Sequence, residues 1–396
     1  MKIDNKKLAS IKQSKKFLSQ LNDLALIDLI EDLFGLWFCK LDENFIDQFS
    51  ELIGLKYDQL QVNLQYFSKV KRKELLEIQG LLRNSYRSSN NELNLFFGAS
   101  TIPITPFTEI LYSLLLKTPI ICRIPENYSL DFYKYFYDKI PQELTDTVSF
   151  TTWPSNDDET TQSFMDLADC IILHGSDQTV SDLSKYAKGK TFLGFGHKAS
   201  FALMKKNNNK NQLKEQMRKL ASDIYSFNQL GCLSPQCVYL IDFDDNETLY
   251  FANHLSQSLK KKAFDLTSSI SFSKQSFFEE VSLKKEIRII DDLVIIDNST
   301  KTSNFISEFD YSFGYGTIWV KSINSINELF FSTEKLKERI ACIGTNLSKG
   351  EIDNLAKSFP LSRICEVGEM QNPSLYWLQK PTKIIKAKNK LFSKQS

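Results

Sequence analysis

Histidine is scarce, with three residues in 396, and the seven cysteines fall in no paired metal-binding spacing. A His/Cys metal centre therefore has little to draw on, and the thiols are expected to be free in a reducing cytoplasm. An excess of one charge is missing as well: 49 basic against 48 acidic residues leave a formal +1, which gives no global argument for nucleic acid. No long hydrophobic run opens the chain. Its start, MKIDNKKLASIKQSKK, is basic but polar, and the apolar stretch from Phe17 to Phe38 is interrupted by Asp23, Asp28, Glu31 and Asp32. That pattern reads as an amphipathic helix and not as a signal peptide or a membrane span.

With 42% hydrophobic residues the chain is long enough for two domains, each with its own core. Residues 17 to 87 carry Leu21, Leu24, Leu29, Leu33, Leu75, Ile78 and Leu82 at helical spacing. These positions predict helices packed around a larger α/β body, with a partner-binding face as the other reading.

From Leu93 the pattern changes. LNLFFGASTIPITP, the helix-like TEILYSLLLK and the run PIICRIPEN give strand, turn, helix and strand, which is a βαβ unit. It lacks GxGxxG, so a fingerprint search would miss it. A further strand is expected over Val148 to Trp153, and another over Cys170 to Leu173, ending at His174-Gly175-Ser176 before a helix that starts near Asp177. Gly and Ser at a strand-to-helix junction suit an anion, because unpaired N–H groups and the helix dipole favour phosphate; the plainer reading is a turn with a helix cap. Thr191 to Met204 reads as one more strand with a glycine turn, and Lys205 to Lys214 as a solvated polar loop. Later strands are expected over 237 to 243, 287 to 297 and 316 to 323, with helices near 247 to 262 and 327 to 340, as in a second α/β domain.

The stretch Asp223 to Phe243, DIYSFNQLGCLSPQCVYLIDF, is the one that points to chemistry. It reads as a helix end, a turn carrying Cys232, and a strand starting near Cys237. Gly231 is expected to supply the turn and Pro235 to stop the helix, which would hold the thiol on a bend with N–H groups nearby to receive an oxyanion. The alternative is a buried cysteine acting as a small apolar residue, the reading preferred for Cys39, Cys122, Cys170, Cys237, Cys342 and Cys365.

Asn228-Gln229-Leu230-Gly231-Cys232 followed by Leu233-Ser234-Pro235-Gln236 resembles the nucleophile segment of the bacterial-luminescence (LuxC-type) fatty acyl-CoA reductases, a branch of the aldehyde dehydrogenase superfamily. Gly175-Ser176 resembles the superfamily's Gly-Ser pair that lies against the cofactor pyrophosphate. His197-Lys198 is similar to the family's Gly-His-Lys pattern, and Arg363 to Trp377, RICEVGEMQNPSLYW, to its terminal motif, although the aspartate-glycine pair expected after Trp377 is missing. The similarity runs in order from Leu93 to Trp377.

The resemblance implies an aldehyde dehydrogenase-like α/β fold: N-terminal helices and a Rossmann-like cofactor domain over 1–196, a catalytic domain over 197–365, and a C-terminal segment and basic tail over 366–396. It implies NADPH-dependent reduction of an acyl thioester to an aldehyde through an acyl-Cys232 intermediate. The other function kept open is an acyl-relay subunit that holds an acyl group on Cys232 with little or no hydride transfer. The catalytic set is Cys232, His197, Thr101 and Asn228, with His197 either an acid/base or orienting group or a satisfied core histidine. The cofactor set is Gly175, Ser176, Arg123, Glu126 and Gly194; Arg123 would hold a 2′-phosphate and Glu126 would repel one.

Where relatives carry an asparagine to donate to the oxyanion, this chain has Ser100-Thr101-Ile102-Pro103, so the hole rests on Thr101, the Cys232 amide or another donor. Where hydrolytic relatives carry a water-activating glutamate, Leu193 to His197 has no carboxylate, as suits transfer of the acyl group to another thiol. The partners implied are an acyl-CoA or acyl-carrier protein, an acyl-protein synthetase subunit and a second copy of the chain, with no nucleic acid. The last residues, KPTKIIKAKNKLFSKQS, read as a solvated basic tail or a dock for an acidic partner.

Overall fold

Leu26, Ile27, Ile30, Leu33, Phe34 and Trp37 recur at three- and four-residue spacing, and they form the buried face of the helix Asp23–Phe38. Asn22 caps it by accepting the Ala25 amide at 2.9 Å. The Trp37 ring lies 5.7 Å from Phe107 and 5.9 Å from Phe136, and its Nε1 donates to the Phe136 carbonyl at 2.8 Å. The N-terminal helices thus build core with the α/β body. Leu24 is the exception to the spacing argument: it sits in the helix's first turn and is exposed.

The computed structural model describes residues 5–39, 41–85, 87, 90–207, 209–262, 264, 266–284, 286–298, 311–333, 337–378 and 383–385. The chain divides into two units, Met1–His197 with Ser374–Ser396, and Lys198–Pro373.

In the first unit, β1 (Asn94–Phe97), β2 (Ile120–Arg123), β3 (Val148–Thr151), β4 (Cys170–His174) and β5 (Thr191–Phe195) are all parallel, in the order β5-β4-β1-β2-β3. Their side chains are buried almost throughout, as in strands covered on both faces by crossover helices. Strands β2 and β3 lie on one side of β1 and β4 and β5 on the other, so the winding reverses between β1 and β4.

In the second unit, β6 (Ala199–Lys205), β7 (Pro235–Ile241), β8 (Ile287–Ile290), β9 (Val294–Asp297), β10 (Ile318–Ile323), β11 (Ile340–Thr345) and β12 (Arg363–Glu366) run in the order β12-β11-β6-β7-β10-β9-β8, parallel except for β8. The two-residue period of β7 divides its side chains between two core layers: Val238 and Leu240 join Met217, Leu220, Phe251 and Leu255, while Cys237 and Tyr239 join Phe201, Trp319 and Phe359. Strand β13 (Lys383–Ile385) returns to the first sheet, antiparallel to β5.

Several expectations change. Thr191 to Met204 is two strands in two sheets, because β5 ends at Phe195 and β6 starts at Ala199. Residues 287 to 297 form a hairpin, turned by left-handed Asp291 and Asp292 at φ 55° and 51°. The helix Lys210–Tyr225 begins inside the polar run read as a loop, capped by Asn209. The helix expected over 327 to 340 is Ile326–Thr333, and Ser268–Ser282 is a helix that the apolar pattern did not reveal. The segment 366–396 is not a separate body, since its first residues complete the second unit and β13 the first. Apart from β13, the basic tail from Lys380 lies outside the described residues. Among the described residues no helix is long and apolar enough to cross a membrane.

Candidate active site

The reversal between β1 and β4 opens a crevice at the carboxyl ends of the strands, the usual place for a ligand in such sheets. A cavity of about 850 Å³ lies there, walled by Gly98 after β1, Arg123 at the end of β2, Trp153 after β3, and His174, Gly175 and Ser176 at the end of β4. Gly175 is not demanded by packing, since a Cβ there would lie 3.4 Å from Thr179 Cβ, an ordinary contact. Its amide is already used, donating to the Phe195 carbonyl at 3.1 Å. Ser176 is the cap of helix Asp177–Ser184, its Oγ accepting the Thr179 amide at 3.1 Å. The cap and the cavity wall are therefore one residue, and Thr179 and Asp182 continue the wall along that helix.

Arg123 is half-buried, donates from Nη2 to the Trp153 carbonyl at 2.8 Å and lies 5.8 Å from the Trp153 ring centre. Burial pulls its guanidinium below the ordinary value while the Glu126 charge opposes; an arginine keeps its charge regardless. Glu126 is exposed and accepts the Ser155 amide at 3.0 Å. Gly194 needs correcting. It is not among the cavity-lining residues, and a Cβ on it would sit 2.5 Å from Val180 Cγ1. Its bare backbone lets helix Asp177–Ser184 pack on β5, which explains the glycine without a ligand.

Thr101 is exposed in the bend after β1, beside Ser100, whose carbonyl accepts from Asn127 Nδ2 at 3.0 Å and Tyr128 Oη at 2.9 Å. His197 is exposed too, so the core-histidine alternative does not hold; its amide donates to Asp177 Oδ1 at 2.9 Å. A buried cluster that sequence reasoning missed lies behind the cavity. Arg87 and Glu109 form a two-pronged ion pair at 2.6 and 3.2 Å, with His174 Nε2 3.5 Å from Glu109.

Cys232 belongs to the second unit, with Asn228. Cys232 lies in the turn that Gly231 opens, although Gly231 has no left-handed φ, and the unusual backbone lies just before it. Phe227, Asn228 and Gln229 are left-handed in succession, at φ 53°, 52° and 64°, a conformation bulky residues rarely take without tertiary support. Much of that support comes from Gln229, whose buried amide donates to the carbonyls of Pro235 and Thr317, each at 2.8 Å, and accepts the Gly316 amide at 3.0 Å. Asn228 is buried, and its carbonyl accepts the Tyr315 amide at 2.8 Å.

The Cys232 carbonyl accepts Ser200 Oγ at 2.7 Å, the Ser234 amide closes a turn onto Gly231 at 2.9 Å, and β7 starts at Pro235, two residues earlier than expected. Cys232 is left half-buried. Among the other cysteines Cys39 is exposed and Cys365 half-buried, which departs from the packing role read for both. Among the described residues no group of three His, Cys, Asp or Glu side chains could hold a metal.

The terminal Gly-x-Met-Gln motif supports this bend from below. Gln371 Nε2 donates to Ser234 Oγ at 3.0 Å and to the Asp223 carbonyl at 3.1 Å, while the Asp223 carboxyl accepts the amides of Gly368 and Met370. Gly368 is left-handed at φ 95°, and a Cβ there would lie 2.8 Å from Lys219 Cβ, so the motif needs its glycine. Burial pushes the Asp223 carboxyl up to about 7, against the pull of those amides.

The parallel sheets, the crevice and the cysteine bend define an aldehyde dehydrogenase-like α/β protein. Methylmalonate-semialdehyde dehydrogenase (DddC) from Oceanimonas doudoroffii is similar with a TM-score of 0.68 and 10% identity, covering 93% of this chain and 82% of that one. Propionaldehyde dehydrogenase of Rhodopseudomonas palustris with bound propionyl-CoA gives 0.61 and 11%, over 93% and 85%. The glyceraldehyde-3-phosphate dehydrogenase GapN of Methanocaldococcus jannaschii complexed with NADP gives 0.65 and 10%, over 94% and 86%. A search of curated proteins returned no match.

The sequence model of the acyl-CoA reductase (LuxC) family matches residues 92–374, and the chain belongs to that family. It is an aldehyde-forming oxidoreductase of the thioester-reducing kind and works with a nicotinamide cofactor.

Proposed function

We propose that the protein reduces an acyl thioester, carried by CoA or an acyl-carrier protein, to an aldehyde with NADPH, through an acyl group held on Cys232. The observation that carries this reading is the bend itself: a half-buried thiol held by Gln229, Ser200 and Gln371 on a backbone that costs free energy to maintain. The Cys232 thiolate attacks the thioester carbonyl, the new C–S bond forms, and the donor's thiolate leaves. The Cys232 amide N–H travels with the nucleophile and is the donor assigned to the oxyanion. Gly175-Ser176 would hold the pyrophosphate of a bound NADPH and Arg123 its 2′-phosphate, and the cofactor would supply the hydride that brings the carbonyl to the aldehyde level. Breaking the C–S bond returns Cys232 as the thiolate.

The crevice fits a dinucleotide on its own terms. It lies at the switch point, it has a capped helix start on one wall and a guanidinium on another, and its volume is of the order such a ligand needs. No carboxylate stands between Phe192 and His197 to activate water, so the acyl group should leave to a thiol or as aldehyde faster than as acid. Intact-protein mass spectrometry after mixing with a panel of acyl-CoAs should give a single acyl adduct. The adduct should persist in buffer, and it should vanish with CoA or with NADPH, the latter yielding aldehyde. Acylation with no aldehyde under NADPH would instead mark an acyl-relay subunit, and decay in buffer as fast as with CoA would mark a hydrolase.

Cofactor choice has its own expected result. Arg123→Ala should lower the preference for NADPH over NADH by about tenfold, the worth of one charge-assisted contact to phosphate. Titration of both cofactors reads this directly, and an unchanged ratio would remove Arg123 from the 2′-phosphate.

A further inference from the structure

Outside the bend, the second unit holds a second thiol group. Cys342 of β11 and Cys365 of β12 bring their sulfurs to 3.7 Å across two adjacent parallel strands. Arg363 lies over both, its Nη1 3.2 Å from Cys365 Sγ and 3.6 Å from Cys342 Sγ. The same guanidinium donates to the carbonyls of Met370 at 3.1 Å and Asn372 at 3.0 Å. It therefore ties the sulfur pair to the loop whose Gly368 and Met370 amides bind Asp223 and whose Gln371 holds Ser234, two residues beyond Cys232.

The two sulfurs are not equivalent. Cys342 is buried and Cys365 half-buried, on a strand bonded on one side only. The hydrogen bond from Cys342 and, less strongly, the Arg363 charge pull the Cys365 thiol below its ordinary value against burial, while that hydrogen bond and burial push Cys342 up. One thiolate-prone, reachable sulfur beside one protonated, sheltered sulfur is the arrangement of an attacking and a resolving cysteine.

We propose that Cys342 and Cys365 form a reversible disulfide under peroxide, and that its formation loosens the Gly368–Gln371 loop and with it the bend that presents Cys232. The Cys365 thiolate attacks one peroxide oxygen, the O–O bond breaks, and the departing hydroxide takes a proton to leave as water, giving a sulfenic acid. The Cys342 sulfur then attacks that sulfur, the S–O bond breaks, and a second water leaves with the Cys342 proton; two electrons pass from the thiols to the peroxide. The sulfurs must close from 3.7 Å to about 2.05 Å, a shift an edge strand can take. Closing the sulfurs draws β12 against β11 and displaces Arg363, which spans the sulfur pair and the Met370 and Asn372 carbonyls, so its hold on those carbonyls changes. The effect on catalysis rests on Cys232 being the nucleophile, whereas the disulfide itself does not.

The test uses the full chain, treated with hydrogen peroxide, blocked with N-ethylmaleimide and digested. A Cys342–Cys365 linked peptide, two hydrogens lighter than its parts and lost with dithiothreitol, is expected. In parallel, the rate at which iodoacetamide alkylates Cys232 should change at least about threefold on oxidation and recover with dithiothreitol. Cys365→Ser and Cys342→Ser should each abolish that response while leaving the reduced rate as in wild type. Absence of the linked peptide overturns the proposal, as does an equal response in Cys365→Ser, which would mean direct oxidation of Cys232, or a linked peptide with no change at Cys232. Failure of the acyl-Cys232 reading would show elsewhere, as no acyl adduct on the fully reduced protein.

Discussion

Replacing Cys232 by alanine is expected to abolish the acyl adduct and to cut aldehyde formation by on the order of 10⁴-fold or more, with the fold retained. The size follows from the role, since no neighbouring group can take over the covalent step. The other thiols are poor substitutes for physical reasons. Cys122, Cys170, Cys237 and Cys342 are buried, and burial pushes Cys122 well up and Cys170 up to about 12. Cys39 is exposed but sits at the end of the helix Asp23–Phe38, and the sulfur of Cys365 is engaged with Arg363 and Cys342. The fold should survive because the bonds that shape the bend run through Gln229, Gln371 and the Cys232 carbonyl, all of which alanine keeps. Intact mass after exposure to acyl-CoA, beside a circular dichroism spectrum, checks both halves. An adduct on the variant at the wild-type level would move the nucleophile to Cys39 or Cys365.

The fold was legible where burial writes itself into short runs. Leu95 to Phe97 and Cys170 to Leu173 are apolar because both sheet faces are covered, and turn residues punctuate them, so the βαβ order could be read without a glycine fingerprint. Gly194 shows the limit of such reading. A glycine required by a helix 2.5 Å from its missing Cβ looks the same in sequence as one required by a ligand. The turn from Gly231 to Ser234 was placed correctly in the chain, but the left-handed run before it was not foreseen, because a left-handed Phe227 has no local signal and exists only through distant partners. Gln371 lies 148 positions from Asp223, and its motif could be matched to a family without revealing that it props the cysteine loop. Asp223 itself had one usable sign, a carboxylate among the buried positions of helix Lys210–Tyr225.

Arg87→Met should destabilise the protein by about 3–5 kcal/mol, the usual cost of stranding one half of a buried ion pair. Both side chains are almost fully enclosed, at 6% and 3% exposure, and Arg87 also stacks 5.0 Å from the Tyr112 ring centre. Burial alone would raise the Glu109 carboxyl; the Arg87 charge, with His174 3.5 Å away, outweighs it and holds the group down at about 2, against an ordinary 4.5. A carboxyl lowered on folding binds its proton more weakly in the native state, so its contribution is present above about pH 4.5 and is lost as pH falls towards 2. The drop corresponds to about 3 kcal/mol, in line with the expected cost of losing Arg87.

The double change Arg87→Met with Glu109→Leu removes the stranded charge and should recover most of the stability at neutral pH. Its loss of stability between pH 4.5 and 2 should be smaller than that of wild type by the share of Glu109, while Glu351 and Asp23, also held low by their partners, still contribute theirs. Urea unfolding of the three proteins across that range reads all of this together. A single variant within about 1 kcal/mol of wild type at pH 7 would mean that the pair is solvated in solution. Because His174 lines the crevice and meets the same carboxylate, dinucleotide affinity should weaken in the double variant even where stability has returned.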